Sequence, residues 1–256
     1  MMNNFSPNML KTFDECQMKF FFKYVEKISI PQRAKLFEKG KKVHALANYY
    51  LKGSDIQKME RVLTSDEKTT WDSLKSSKYF KLTVINTEYN LSCKIGDYWI
   101  GGRLDALMCD EETVTWEKGT EEAKSDESTF GLWPFAFCSE NPSPITLHSS
   151  LDYYILDYKT GRIPPNPEKD FQTIVYLLAV EKFLKTKKIP CTSLQFIYLG
   201  LKDNVEKSIL LNEDLKKQYE EKIISLCQKI DLAINSTVFS KSKDSCKCCE
   251  YGKFCN

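Results

Sequence analysis

The chain has 256 residues, enough for one large core or two modest ones, and with 42% hydrophobic and 28% charged residues it is no globally disordered polymer. Basic residues number 37 against 35 acidic ones, so the net charge of +2 excludes bulk attraction to nucleic acid; such a partner would need a local basic groove. No run of about 18 apolar residues exists to span a bilayer, and Met1 to Pro7 lacks the basic start and apolar centre of a signal peptide, so the expectation is a cytoplasmic protein with no membrane partner.

Ser6-Pro7 reads as an N-cap followed by proline at the first helical position, opening a helix through about Val25. Its apolar face carries Leu10, Phe13, Phe20 and Tyr24, with Cys16 on or beside it, where a lone cysteine reads as a small buried apolar residue. A second helix is predicted from about Ala34 to Leu51, with Leu36, Phe37, Val43, Ala47 and Tyr50 as apolar positions. Gly53-Ser54 ends it, and a polar helical segment follows from Asp55 to about Ser76. His44 lies on the second helix; taken alone it reads as a satisfied, partly buried imidazole rather than a ligand.

Leu82 to Ile95 alternates as a strand, Gly96-Asp97 turns, and Tyr98 to Met108 returns as the second arm of a hairpin. Gly101-Gly102 marks a bulge or a close backbone approach just before Asp105. Asp105 sits in an otherwise apolar arm, either as a functional carboxylate or as an aspartate facing solvent from an edge strand. Between Asp110 and Ser150 the pattern dissolves into acidic, Ser/Thr-rich sequence containing Trp133-Pro134-Phe135. So long a loop is usually functional or disordered. It reads as an insertion into a sheet, a flap near the site with a strand fragment at Thr113 to Trp116, its aromatic residues packing on the body or stacking on bases.

The next stretch, Tyr153-Tyr154-Ile155-Leu156-Asp157-Tyr158-Lys159-Thr160-Gly161, is apolar until it presents a carboxylate and an ammonium two residues apart. Strand alternation points Tyr153, Ile155, Asp157 and Lys159 one way and Tyr154, Leu156 and Tyr158 the other. A buried carboxylate needs a cation, a metal or hydrogen bonds beside it; read alone, Asp157 and Lys159 are a strand-end ion pair. A stiff loop from Gly161 to Pro167 leads to a helix from Glu168 to about Lys185, whose core side is Phe171, Ile174, Val175, Leu178 and Phe183. Gln172 and Tyr176, four apart, share a face that either looks back at the carboxylates or forms a polar edge. Strands from Ser193 to Leu199 and Val205 to Leu211, then a helix from Asn212 to about Ile234, complete a chain with no internal repeat. We expect one domain over residues 1–256.

Ten cysteines in a reducing compartment are not expected to form a disulfide framework, and four of them crowd the last eleven residues, as Cys246, Cys248, Cys249 and Cys255. Four thiols suffice for a zinc site, although the side chains of adjacent Cys248 and Cys249 would normally diverge.

In chain order, Gly40-Lys-Lys-Val-His44, Gly102-Arg-Leu-Asp105, Asp157-Tyr-Lys159-Thr-Gly161 and Gln172-Thr-Ile-Val-Tyr176 resemble the motifs of the PD-(D/E)XK nuclease superfamily, in particular its RecB-like branch. The resemblance implies an α/β restriction-endonuclease-like fold, a mixed central sheet flanked by helices. It also implies a metal-dependent deoxyribonuclease, an exonuclease acting on single-stranded or frayed DNA ends. Asp105 and Asp157 would be hard oxygen ligands for Mg²⁺ or Mn²⁺, with the Tyr158 carbonyl as a third and His44 as an added ligand tilting preference to Mn²⁺. Lys159 would orient the attacking water and stabilise negative charge, and Gln172 and Tyr176 would position Lys159, the metal waters or the DNA strand. The 52-residue step from Asp105 to Asp157 is longer than the family's usual hairpin.

The iron-sulfur members of that branch, similar to AddB nuclease domains and CRISPR-associated RecB-like exonucleases, carry Cys…Cys-x-x-Cys-x₅-Cys with the first cysteine in an N-terminal helix. This maps onto Cys16, Cys246, Cys249 and Cys255 and implies a [4Fe–4S] cluster, with zinc as the alternative, clasping the first helix to the last segment. DNA is the implied substrate, and a helicase or a CRISPR adaptation complex the implied protein partner. Two other readings are a non-catalytic DNA-binding module and a zinc-tailed protein of another class.

Overall fold

The computed structural model describes residues 4–30, 38–111, 151–242, 246 and 249–255. The expected insertion at about 110–150, with its strand fragment at Thr113 to Trp116 and its aromatic residues, lies outside the described residues, as do Leu36, Phe37 and Cys248.

Six strands form one mixed sheet: β1 (Asn4–Phe5), β2 (Thr83–Ile95), β3 (Tyr98–Glu111), β4 (Leu151–Lys159), β5 (Ser193–Gly200) and β6 (Val205–Leu210). The order is β1-β3-β4-β5-β6, with β2 on the other edge of β3. The β2–β3, β3–β4 and β5–β6 pairs are antiparallel; β1–β3 and β4–β5 are parallel. Parallel neighbours need a crossover, and α6 (Phe171–Thr186) supplies it between β4 and β5. One edge of β3 is shared: β1 occupies its start at Trp99 and Ile100, and β4 its end from Ala106 onward. Between them the described residues leave β3 unpaired on that edge over residues 101–105.

Helices cover both faces, as the two-sided burial of β4 requires. On one side α1 (Pro7–Glu15), α6 and α7 (Glu213–Ser236) pack on Ile100, Tyr153, Ile155 and Phe196. On the other, α3 (Glu38–Leu51) and α5 (Ser65–Lys75) bury Val43, Leu46, Trp71 and Leu74 against Ala106, Met108, Leu156 and Tyr158. The alternation expected along β4 therefore holds and puts Asp157 and Lys159 on the α6 face. This is the restriction-endonuclease-like architecture expected.

Three predicted helices differ in detail. The first is broken at Cys16, whose φ of −164° and ψ of 112° are extended; it resumes as α2 (Gln17–Phe20) and a π-turn over Phe21–Val25. The segment after Gly53 is two helices, α4 (Gln57–Arg61) and α5, because Thr64 and Glu67 form a reciprocal capping box that starts a new helix. The α6 helix starts at Phe171 rather than Glu168, with Asp170 as N-cap accepting from the Gln172 N–H at 2.9 Å. From Thr173 to Val180 it has no polar edge, since every residue there is buried between the sheet and α1 and α7; its exposed polar residues begin at Lys182. Each fully buried Leu or Val there contributes about 1.5–3 kcal/mol, which holds Gln172 at a firm position. No described helix is long and apolar enough to cross a membrane.

Candidate active site

The β3–β4 ladder runs from Glu111–Leu151 to Ala106–Leu156, and there the strands part. The next residues, Asp105 on β3 and Asp157 to Lys159 on β4, line the fork. Asp105 Oδ2 accepts a hydrogen bond from the Tyr158 N–H at 2.9 Å, in place of the ladder bond that the parting strand gives up. Asp105 Oδ1 lies 3.2 Å from His44 Nδ1, and His44 Nε2 donates to the Tyr158 carbonyl at 2.9 Å. Both ring nitrogens thus face acceptors. Burial works against the imidazolium, but the Asp105 carboxylate and the Tyr158 carbonyl outweigh it and raise the pKa of His44 above the ordinary value.

Asp157 is 6% exposed. Its Oδ2 is 2.8 Å from Lys159 Nζ, yet poorly aligned, and it is left without a hydrogen bond. The ammonium donates instead to Gln172 Oε1 at 2.7 Å, while Gln172 Nε2 reaches Asp157 Oδ1 at 3.4 Å. Burial raises the Asp157 carboxyl above the usual range; Lys159 opposes this and Asp105 adds to it. The Gln172 face therefore does look back at the carboxylates. Tyr176 contributes differently: its hydroxyl donates to the Arg103 carbonyl at 2.9 Å and so bonds the backbone of β3. Of the two alternatives at Gly101-Gly102, the close approach is the one observed, since a Cβ at Gly102 would sit 2.9 Å from the Tyr176 hydroxyl oxygen.

The sequence reading missed Glu88. It stands opposite Asp105 in the hairpin, bracketed by Thr87–Ala106 and Tyr89–Leu104, with a left-handed φ of 49°. Tyr89 and Leu104 pack on the α6 side, whereas Ala106 packs on the α3 side and Thr87 donates to Asn48 of α3. Alternation inverts at the Glu88–Asp105 pair. Glu88 Oε2 lies 2.8 Å from Arg103 Nε, and His44, Glu88 and Asp105 each offer a ligand atom within 4.8 Å of the others. The signal was available: the two-residue turn at Gly96-Asp97 sets the register, and counting back from it pairs 88 with 105. The His44 imidazole and the Glu88 and Asp105 carboxylates, with the buried, unbonded Oδ2 of Asp157 on the same fork, make a donor set that suits a hard divalent cation such as Mg²⁺ or Mn²⁺.

A model of the PD-(D/E)XK nuclease superfamily matches residues 4–256. The chain belongs to that superfamily. Its fold is similar to the crystal structure of a candidate exonuclease from Eubacterium rectale, with a TM-score of 0.52 and 10% identity over 97% of this chain and 88% of that one. A match to the crystal structure of SSO0001 covers 100% of this chain and 86% of that one at 13% identity, with a TM-score of 0.40. No curated protein matches the chain.

In this nuclease-superfamily chain the C-terminal segment docks on the N-terminal helices. The Met18 N–H donates to the Ser240 carbonyl at 3.1 Å, and the Ser240 N–H to Gln17 Oε1 at 3.0 Å. The Tyr251 hydroxyl donates to the Ile28 carbonyl at 3.1 Å, and its ring stacks on Phe22 with centroids 6.0 Å apart. Cys16, Cys246, Cys249 and Cys255 are free thiols. Burial raises the Cys255 thiol, partly opposed by Lys241. Cys93, Cys109 and Cys227 belong to the apolar core on the α6 side.

Proposed function

We propose that the chain is a Mg²⁺- or Mn²⁺-dependent deoxyribonuclease of the RecB-like branch, an exonuclease that trims single-stranded or frayed DNA ends in repair, recombination or defence. One observation carries the reading: Asp105 and Asp157 flank the opening of two strands, with the Lys159 ammonium held beside them by Gln172. The fold shared with a candidate exonuclease supports it. His44, Asp105, Asp157 and the Tyr158 carbonyl would hold the cation, with Glu88 as a further carboxylate. A bound cation would acidify water and offset charge on the phosphorane-like transition state.

Lys159 orients the attacking water and offsets negative charge near the scissile phosphate. Gln172, fixed by the buried α6 helix, contacts both the Lys159 ammonium and the Asp157 carboxylate. Tyr176 anchors the β3 backbone two residues before Asp105. Cys16, Cys246, Cys249 and Cys255 would hold a [4Fe–4S] cluster and so clasp the tail to the first helices; the docking of Ser240 and Tyr251 on those helices supports this. The chain acts as one domain over residues 1–256, in the cytoplasm, on DNA, beside a helicase or a CRISPR adaptation complex.

The test is cleavage of end-labelled single- and double-stranded DNA with Mg²⁺, Mn²⁺ or a chelator. Metal-dependent release of short products from ends is expected, and wild-type rates from Asp157→Ala would overturn the site. Anaerobic purification followed by iron, sulfide and zinc analysis tests the clasp; a colourless protein holding only zinc would exclude the cluster.

A further inference from the structure

The face of α3 that delivers His44 continues beyond it. Lys41 stands one turn before His44, and Asn48 and Tyr49 one turn or slightly more after it. Opposite them stand Glu88, Arg103 and Asp105 of the hairpin, and the two walls enclose a groove of about 560 Å³ that opens directly from the candidate metal site. That volume is within the range of pockets that hold a small ligand.

Its lining is unusual for a merely solvated helix face. The Tyr49 side chain is 47% exposed, and among the described residues no ring or hydrogen-bonding group partners it. Lys41 is exposed and makes no ion pair among the described residues. Arg103 is 65% exposed, spends one nitrogen on Glu88, and keeps the rest of its guanidinium toward solvent. Asn48 accepts from Thr87 through its oxygen, which leaves its amide nitrogen to donate. An aromatic face, two cations and an amide donor beside a cation site are the groups that a nucleotide requires.

We propose that this groove is a subsite for a single-stranded polynucleotide. Tyr49 stacks on an unpaired base next to the cleaved bond, while Lys41 and Arg103 take the phosphates on either side. The inference rests on the nuclease reading and adds to it the residues that select an unpaired strand: duplex bases, stacked on one another, offer Tyr49 no free face, whereas a frayed or single strand does.

The test measures binding of labelled single-stranded DNA, single-stranded RNA and duplex DNA to the full chain by fluorescence anisotropy. Ca²⁺ replaces the catalytic metal and the salt concentration is varied. Tyr49→Ala is expected to weaken single-strand binding about tenfold and to leave duplex binding unchanged, with Tyr49→Phe restoring it. Lys41→Ala is expected to reduce the slope of log affinity against log salt by about 0.7, the share of one phosphate contact on a single strand. The DNA and RNA arms show which sugar the groove accepts. Wild-type single-strand binding by Tyr49→Ala, or an equal loss on duplex, together with an unchanged salt slope for Lys41→Ala, would overturn the subsite while leaving the nuclease reading intact. A wild-type chain that neither binds nor cleaves DNA would overturn that reading itself and the subsite with it.

Discussion

Asp157 is buried and Asp105 half-buried at one fork, so the fold gathers negative charge where it is hard to hold. Its response is to favour protons: burial leads the upward shift of Asp157, and at His44 the Asp105 and Tyr158 contacts outweigh burial and raise the pKa. Both groups bind protons more tightly folded than unfolded. Their contribution to stability is therefore full at low pH and is lost as pH rises through the ordinary carboxylate value to beyond the ordinary histidine value. Melting curves in chelator should show this decline, and Mg²⁺ or Mn²⁺ should reverse it. At pH 8 in chelator, Asp157→Asn should melt higher than wild type and gain nothing from metal. Lys159→Ala should lower kcat by roughly 10²–10³, the usual loss when one preorganised donor to a developing charge is removed. Glu88→Gln should raise the metal concentration for half-maximal cleavage by about 10–100-fold; an unchanged metal titration would remove Glu88 from the ligand set.

At the scale of elements, the glycine pair in β3 separates close packing from function. A Cβ at Gly101 would lie 2.3 Å from the Leu91 carbonyl, a backbone atom of the paired strand, whereas at Gly102 it would meet the Tyr176 ring tip at 2.9 Å. Gly101→Ala should therefore destabilise the hairpin by about 1–3 kcal/mol or more, read as a lower denaturant midpoint. Gly102→Ala should displace Tyr176 from the Arg103 carbonyl and slow cleavage with a smaller change in midpoint. The hairpin also explains how one strand serves two cores. At Glu88 the left-handed backbone inverts the alternation, which turns β2 from the α6 side to the α3 side and leaves Glu88 and Asp105 at the crossing point. Strain of this kind is tolerated where the surroundings impose it, here the long ladder on both sides of the kink.

Across the whole molecule, the C-terminal segment packs on Gln17, Met18, Phe22 and Ile28 rather than on the fork. Helix α1 touches α6, which carries Gln172, and the tail packs on the residues that follow α1. Loosening the tail should therefore reach the site only through α1 and α6. Cys16→Ser is expected to remove bound iron and lower the melting temperature while reducing cleavage less than Asp157→Ala does. Equal iron content in variant and wild type would separate Cys16 from the clasp.

Local patterns made much of this legible. The alternation of β4, the N-cap at Ser6-Pro7 and the turn at Gly96-Asp97 depend on neighbours in sequence, and they were enough to place Asp157 and Lys159 on one face and Asp105 on an adjacent hairpin arm. The superfamily too is legible in the chain, because His44, Asp105, Asp157-Tyr158-Lys159 and Gln172-Tyr176 occur in the order its motifs take. Other features are encoded in no local pattern. The break at Cys16, the burial of α6 from Thr173 to Val180 and the kink at Glu88 arise from packing between distant elements, which overrides helix and strand periodicity. The strands part after Ala106 and Leu156 where one edge of β3 is divided between β1 and β4, which opens the fork, while the kink at Glu88 on the other edge brings its carboxylate beside His44 and Asp105.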